Sequence, residues 1–344
     1  MTTSRNRIES TLLRRINERR LLEAIQRHGP SSRAMLTRVS GLTAPTVSKA
    51  VDSLLQRGFL EDLDPIEQAF GRPGRLVRMA RESAHVLGVV IDAGTCCVVS
   101  TGLDGAVTEE RTLRFATGCE YPVLLDAIES ACRTLMGGCG SVVRGVGVSV
   151  PGLFNGRRQE IVFSPNLHLL DRQRPAHDLE RRLGVPCRVI QESDALVLGE
   201  RMFGDARDLE DFAVLDAATG LGLGVMNGGR LLAGHSGMAG EIGHVTVRAD
   251  GDICGCGNRG CLETLATDSA LRRMMEERMG IGLDSQQAGQ LLATRAQDFE
   301  REIGIVVEYL AIAIAAVINI FNPSVLFVHG ALVAGAPELF ARVL

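Results

Sequence analysis

One histidine and three cysteines occur in the order His244, Cys254, Cys256, Cys261, a spacing of H-x9-C-x-C-x4-C. An imidazole nitrogen and three sulfurs make the four-ligand set that Zn2+ prefers. With four protein ligands no position stays open, which is the pattern of a structural zinc and not a catalytic one. Gly255, Gly257 and Gly260 stand between the cysteines and let the backbone fold tightly around one ion. Two carboxylates bracket the set, Glu241 three residues before the histidine and Glu263 just after the last cysteine.

A different chemistry is concentrated near the start of the chain. Residues 1–80 carry 14 Lys and Arg against 8 Asp and Glu, while the rest of the chain carries 23 against 33. A small basic module on a larger acidic body points to a polyanionic partner for the first part alone. Lys49 is the only lysine, so arginine is the general cation.

The elements that would position these cations are legible. Ile8, Leu12, Ile16, Leu21, Leu22 and Ile25 recur at helical spacing until Gly29-Pro30. Ser31 or Ser32 is placed to cap a short helix through Val39, and Gly41 suits a tight turn. Thr43 is placed to cap the next helix, with Pro45 in its first turn. Val47, Ala50, Val51, Leu54 and Leu55 share one apolar face of that helix, leaving Thr46, Ser48, Lys49 and Asp52 elsewhere. Gly58 closes it, and the stretch from Phe59 reads as the first strand of a wing. This is a winged helix-turn-helix pattern, expected to bind double-stranded DNA. Thr46, Ser48 and Lys49 would face base edges and phosphates. Arg72 and Arg75, in "GRPGR", suit either a minor groove or a linker.

From Val86 the texture becomes α/β. "VLGVVIDAGTCCVVSTGLDG" reads as two strands and a turn, Val123–Met136 as a helix, and "VRGVGVSVPG" as a buried strand. "CRVIQESDALVLGERMFG" is a strand running into a helix, and "DFAVLDAATGLGLGVMNGGRLL" repeats the strand, glycine turn and strand theme. Two similar halves are implied. The nine cysteines sit mostly in apolar or helical contexts, which favours reduced thiols and one metal site over a disulfide framework. The start is polar, without a signal-peptide core. The most apolar stretch, Leu310–Phe321, is shorter than the roughly 20 residues a bilayer requires. A soluble, cytoplasmic protein with no membrane partner is expected.

"GMAGEIGHVTV" followed by "CGCGNRGCLET", with "VSVPG", "SPNL" and "ATGLGLG", resembles the ROK family of repressors and sugar kinases. The winged helix in front resembles its transcriptional-repressor branch. The resemblance implies a two-lobed actin-like/hexokinase-like body over residues 81–344, behind a DNA-binding domain and linker over 1–80. It implies a structural zinc in the 244–261 motif, whose histidine also faces a bound sugar. It places Gly152, Asn166, Gln191, Glu192, Glu241, His244 and Glu263 around a sugar or sugar phosphate, whose hydroxyls both donate and accept.

The same resemblance argues against catalysis. Glu192 falls where the kinases carry the aspartate that deprotonates the sugar, and base catalysis depends on tight positioning. In an ungapped register the first phosphate-loop aspartate falls on Val90. The second phosphate loop, Thr219–Gly224, is better kept, and His329-Gly330-Ala331 replaces a glycine triplet. The chain stops at Leu344, where the resemblance leads one to expect a further strand and helix. The expectation is a sugar-responsive repressor, a homodimer or higher homo-oligomer, with zinc and without ATP. The alternative is a sugar kinase carrying a DNA-binding head.

Overall fold

A computed structural model describes residues 2–63, 75–140 and 142–330. The head opens with α1 (Thr2–His28), stopped by Gly29 at φ +73°. The short strand β1 (Ser31–Ser32) leads into α2 (Arg33–Ser40), where the Ser32 hydroxyl accepts from the Met35 amide at 3.2 Å. Gly41, left-handed at φ +67°, turns the chain into α3 (Ala44–Gln56), with Pro45 in its first turn. Thr43 is the cap residue by position, but its hydroxyl meets the Thr46 hydroxyl at 2.9 Å and no backbone amide. Leu21, Ile25, Leu36, Val47, Val51 and Leu54 bury together with Leu60 of β2 (Leu60–Leu63) and Val77 of β3 (Leu76–Met79). The three strands form an antiparallel sheet in the order β1-β3-β2, the base of the wing. Arg72 lies outside the described residues. Arg75 is exposed at the foot of β3, 4.0 Å from Asp62.

The body has two lobes built on one plan. In the first, β4 (Ala84–Ile91), β5 (Thr95–Gly102) and β6 (Thr112–Ala116) form an antiparallel meander. After α4 (Tyr121–Cys139), β7 (Val142–Val150) pairs parallel with β4. The hairpin β8 (Leu153–Asn155) and β9 (Glu160–Phe163) follows, then α5 (Pro175–Leu183). β10 (Cys187–Gln191) completes the sheet order β10-β7-β4-β5-β6 and runs directly into α6 (Glu192–Met202).

The second lobe repeats the meander as β11 (Phe212–Asp216), β12 (Gly222–Asn227) and β13 (Arg230–Leu231). Helices α7 (Asp268–Met279), α8 (Ser285–Arg295) and α9 (Glu300–Phe321) precede β14 (Val325–His329), which pairs parallel with β11 as β7 does with β4. Each sheet buries its inner face against helices, the first over Leu87, Val89, Val98 and Ile128, the second over Leu215, Leu223, Leu310 and Val317.

The apolar stretch Leu310–Phe321 belongs to a longer helical span than the sequence suggests. Ser285–Phe321 is, by length and composition, long and apolar enough to cross a membrane. Yet Ile303, Val306, Leu310, Ala313 and Val317 of α9 are core residues, packed in the second lobe.

Head and body meet along two seams. The Gln26 amide of α1 donates to the Met202 carbonyl at the end of α6 at 2.8 Å, beside an Arg27–Asp208 pair at 3.7 Å. Glu61 of the wing accepts from the Glu82 and Ser83 amides at 2.8 Å each, just before β4. These bonds to its charged form outweigh its burial and hold its carboxyl down at about 2.

Candidate functional site

The four residues expected to ligate a metal come together. The turn Gly240–His244 lies flat on β12, because Cβ atoms at Gly240 and Gly243 would collide with the carbonyls of Leu223 and Leu221. The cysteine loop is tied to it by the Val245 carbonyl, which accepts from Leu262, and by a Thr246–Cys261 bridge. The ligand atoms of His244, Cys254, Cys256 and Cys261 all lie within 4.8 Å of one another, so one metal ion can be coordinated by all four. His244 turns Nδ1 toward this cluster, 3.7 Å from the Cys254 sulfur, and Nε2 outward, 3.7 Å from Glu241. A Cβ at Gly255 would reach the Pro165 carbonyl at 2.6 Å. The metal loop therefore packs on the Ser164–Asn166 loop and helps place Asn166.

All seven residues expected around a sugar line one solvent-open cleft between the lobes: Gly152, Asn166, Gln191, Glu192, Glu241, His244 and Glu263. Gln191 donates to Glu241 at 2.7 Å. Burial raises the Glu241 carboxyl above its ordinary range, opposed by the Gln191 bond and by His244. Gly152 has a different reason to be glycine than ligand approach. At φ +89°, a Cβ there would lie 2.6 Å from the Phe163 carbonyl and the Ser164 Cα.

Glu192 stands at the first turn of α6. Burial pushes its carboxyl up to about 7, with Asp216 and Asp92 adding to the rise and His329 opposing it. Asp194, one turn edge away, is pushed up to about 6 by burial and then by Glu241.

Two acids were missed or misplaced by the sequence register. Val90 is an exposed mid-strand residue paired with Cys97, and Asp92 lines the cleft in the turn after β4. The aspartate that the ungapped register sets on Val90 has a cleft-lining counterpart two residues on, at Asp92. Asp216, the last residue of β11, takes the corresponding place in the second lobe and lines the same cleft, bonded to His329 at 2.9 Å. The signal was available, since "VVIDAGT" and "AVLDAATG" are the same strand–Asp–turn unit in the two halves.

On the head, Lys49 is exposed on α3 and Thr46 is partly exposed at its start. Ser48 is engaged internally: its hydroxyl accepts from Arg33 at 3.0 Å, and Arg33 also holds Asp52 at 2.7 Å. Ser48 thereby also ties α2 to α3.

The ROK family model matches residues 88–343. The chain belongs to the ROK family. A MarR family model matches residues 13–65, the helices of the head and the first wing strand. The xylose repressor of Bacillus spizizenii is 26% identical, over 97% of this ROK chain and 87% of its own length. A solved ROK family transcriptional regulator, homologous to the Escherichia coli MLC protein, superposes with a TM-score of 0.77 at 25% identity, covering 96% of this chain and 86% of that one. A ROK family glucokinase from Streptomyces griseus, solved with glucose and AMPPNP, shares the body's fold with a TM-score of 0.68. It is 24% identical and covers 76% of this chain and 89% of its own.

Proposed function

We propose that this ROK protein is a cytoplasmic transcriptional repressor. Its winged-helix head binds operator DNA, as a homodimer on paired half-sites, and a sugar in the cleft relieves that binding. The observation that carries the reading is the course of α6. Its first residue, Glu192, lies in the cleft, and its last carbonyl, Met202, is held by Gln26 of the head. Eleven residues at about 1.5 Å each make a strut of about 16 Å between the two sites. A sugar that binds one lobe arrangement more tightly would shift the strut and the head with it, and only such differential affinity can do so.

Zinc is the metal that best suits the cluster. Bonds of about 2.3 Å in a tetrahedron put sulfurs about 3.8 Å apart, and Cys256 and Cys261 stand at 3.7 Å. The ion would fix His244 with Nε2 free for a hydroxyl.

Asp92 and the Thr219–Gly222 turn, both at the cleft, favour a second reading, a sugar kinase. Against it, Glu192 carries an extra methylene at the base position, and His329, where a glycine is expected, is bonded to Asp216. Selection of duplexes from a random pool with the full chain tests the first reading: paired half-sites and release by a sugar are expected. Sugar-dependent ADP production well above a Glu192→Ala control would replace it with the second.

A further inference from the structure

We infer that the cleft takes an unphosphorylated sugar and rejects sugar phosphates, an inference that rests on the sugar-binding reading above. Five carboxylates line the cleft: Asp92, Glu192, Asp216, Glu241 and Glu263. No arginine or lysine is among the lining residues described. The lining imidazole, His244, gives Nδ1 to the cysteine cluster. His329 is bonded to Asp216 at 2.9 Å.

Turns rich in glycine bind phosphate through free amides, and in each cleft turn one amide already serves the turn's own carboxylate. The Ala93 amide donates to Asp92 at 2.6 Å and the Ala218 amide to Asp216 at 3.3 Å. A sugar gripped by Asn166, Glu241 and His244 shares the cleft with Asp92, Glu192 and Asp216. Hydroxyls there can donate to carboxylates. A phosphate carries about −1.5 to −2 charges at neutral pH and only acceptor oxygens, and like charges in a half-buried cleft are weakly screened.

The experiment is calorimetry on the metal-loaded full chain with glucose, xylose and N-acetylglucosamine, and with glucose 6-phosphate, glucose 1-phosphate and N-acetylglucosamine 6-phosphate. A free sugar should bind, and its phosphorylated forms about a hundredfold more weakly. Asp92→Asn and, separately, Glu192→Gln should narrow that gap. A sugar phosphate that binds as tightly as its free sugar overturns the inference and leaves the sugar reading standing, and so does a gap that neither variant changes. If neither free nor phosphorylated sugars bind, the sugar reading itself falls, and the inference with it.

Discussion

Replacing Glu192 by glutamine should stabilise the protein while weakening its sugar binding. The carboxyl is held at about 7 against an ordinary 4.5, mainly by burial and then by Asp216 and Asp92. Carrying its charge in the folded state at alkaline pH therefore costs about 3 kcal/mol. The sign follows from linkage. Below pH 4.5 the group is neutral folded and unfolded, and its full stability is present. As pH rises toward 7 the unfolded chain ionises first, and that stability is lost. Glutamine keeps the shape without the charge, so its advantage should be under about 1 kcal/mol at pH 5 and about 3 kcal/mol at pH 8. For a body of this size that is about 5–10 °C in melting temperature at pH 8. Thermal melts of both proteins at the two pH values, with calorimetric sugar titrations alongside, read both effects. An equal change at both pH values, or a loss at pH 8, would refute the electrostatic account. A stabilised variant with undiminished sugar affinity would remove Glu192 from the binding site.

Elemental analysis should return one zinc per chain, and Cys256→Ala should lose both the zinc and sugar binding, because His244 loses its anchor; native protein free of zinc contradicts this. Lys49→Ala should weaken DNA binding across sequences and lower the slope of log affinity against log salt by about one. An unchanged salt slope would take Lys49 off the phosphates.

Much of the fold was legible because its signals are local. Gly41 and Pro45 mark the turn and the entry to α3, and Val47, Val51 and Leu54 form the buried face that the helical spacing requires. The metal set and the cleft residues were legible because the motifs are compact: Glu241, His244 and Glu263 are brought together within one folded loop pair. What was illegible depended on register or on tertiary choice. The ungapped register set the expected aspartate on Val90, two positions before the cleft-lining Asp92. Ser48 faces away from the apolar side of α3, as expected, but Arg33 of α2 claims it. Gly152 lines the cleft, but its positive φ and the close Phe163 and Ser164 backbone require a glycine there whatever binds. The contact between Gln26 and Met202 spans 176 positions and leaves no sequence pattern.

The central claim is that cleft and head are energetically coupled through α6. Coupling is reciprocal, so the sugar's affinity must change on DNA binding by the factor by which DNA affinity changes on sugar binding. The direct measurement is calorimetric sugar titration of the full chain, free and bound to its selected duplex. The account predicts weaker sugar binding to the DNA complex, by about 5- to 150-fold, matching the loss of DNA affinity at saturating sugar. Equal sugar affinities for the free and DNA-bound protein would contradict it.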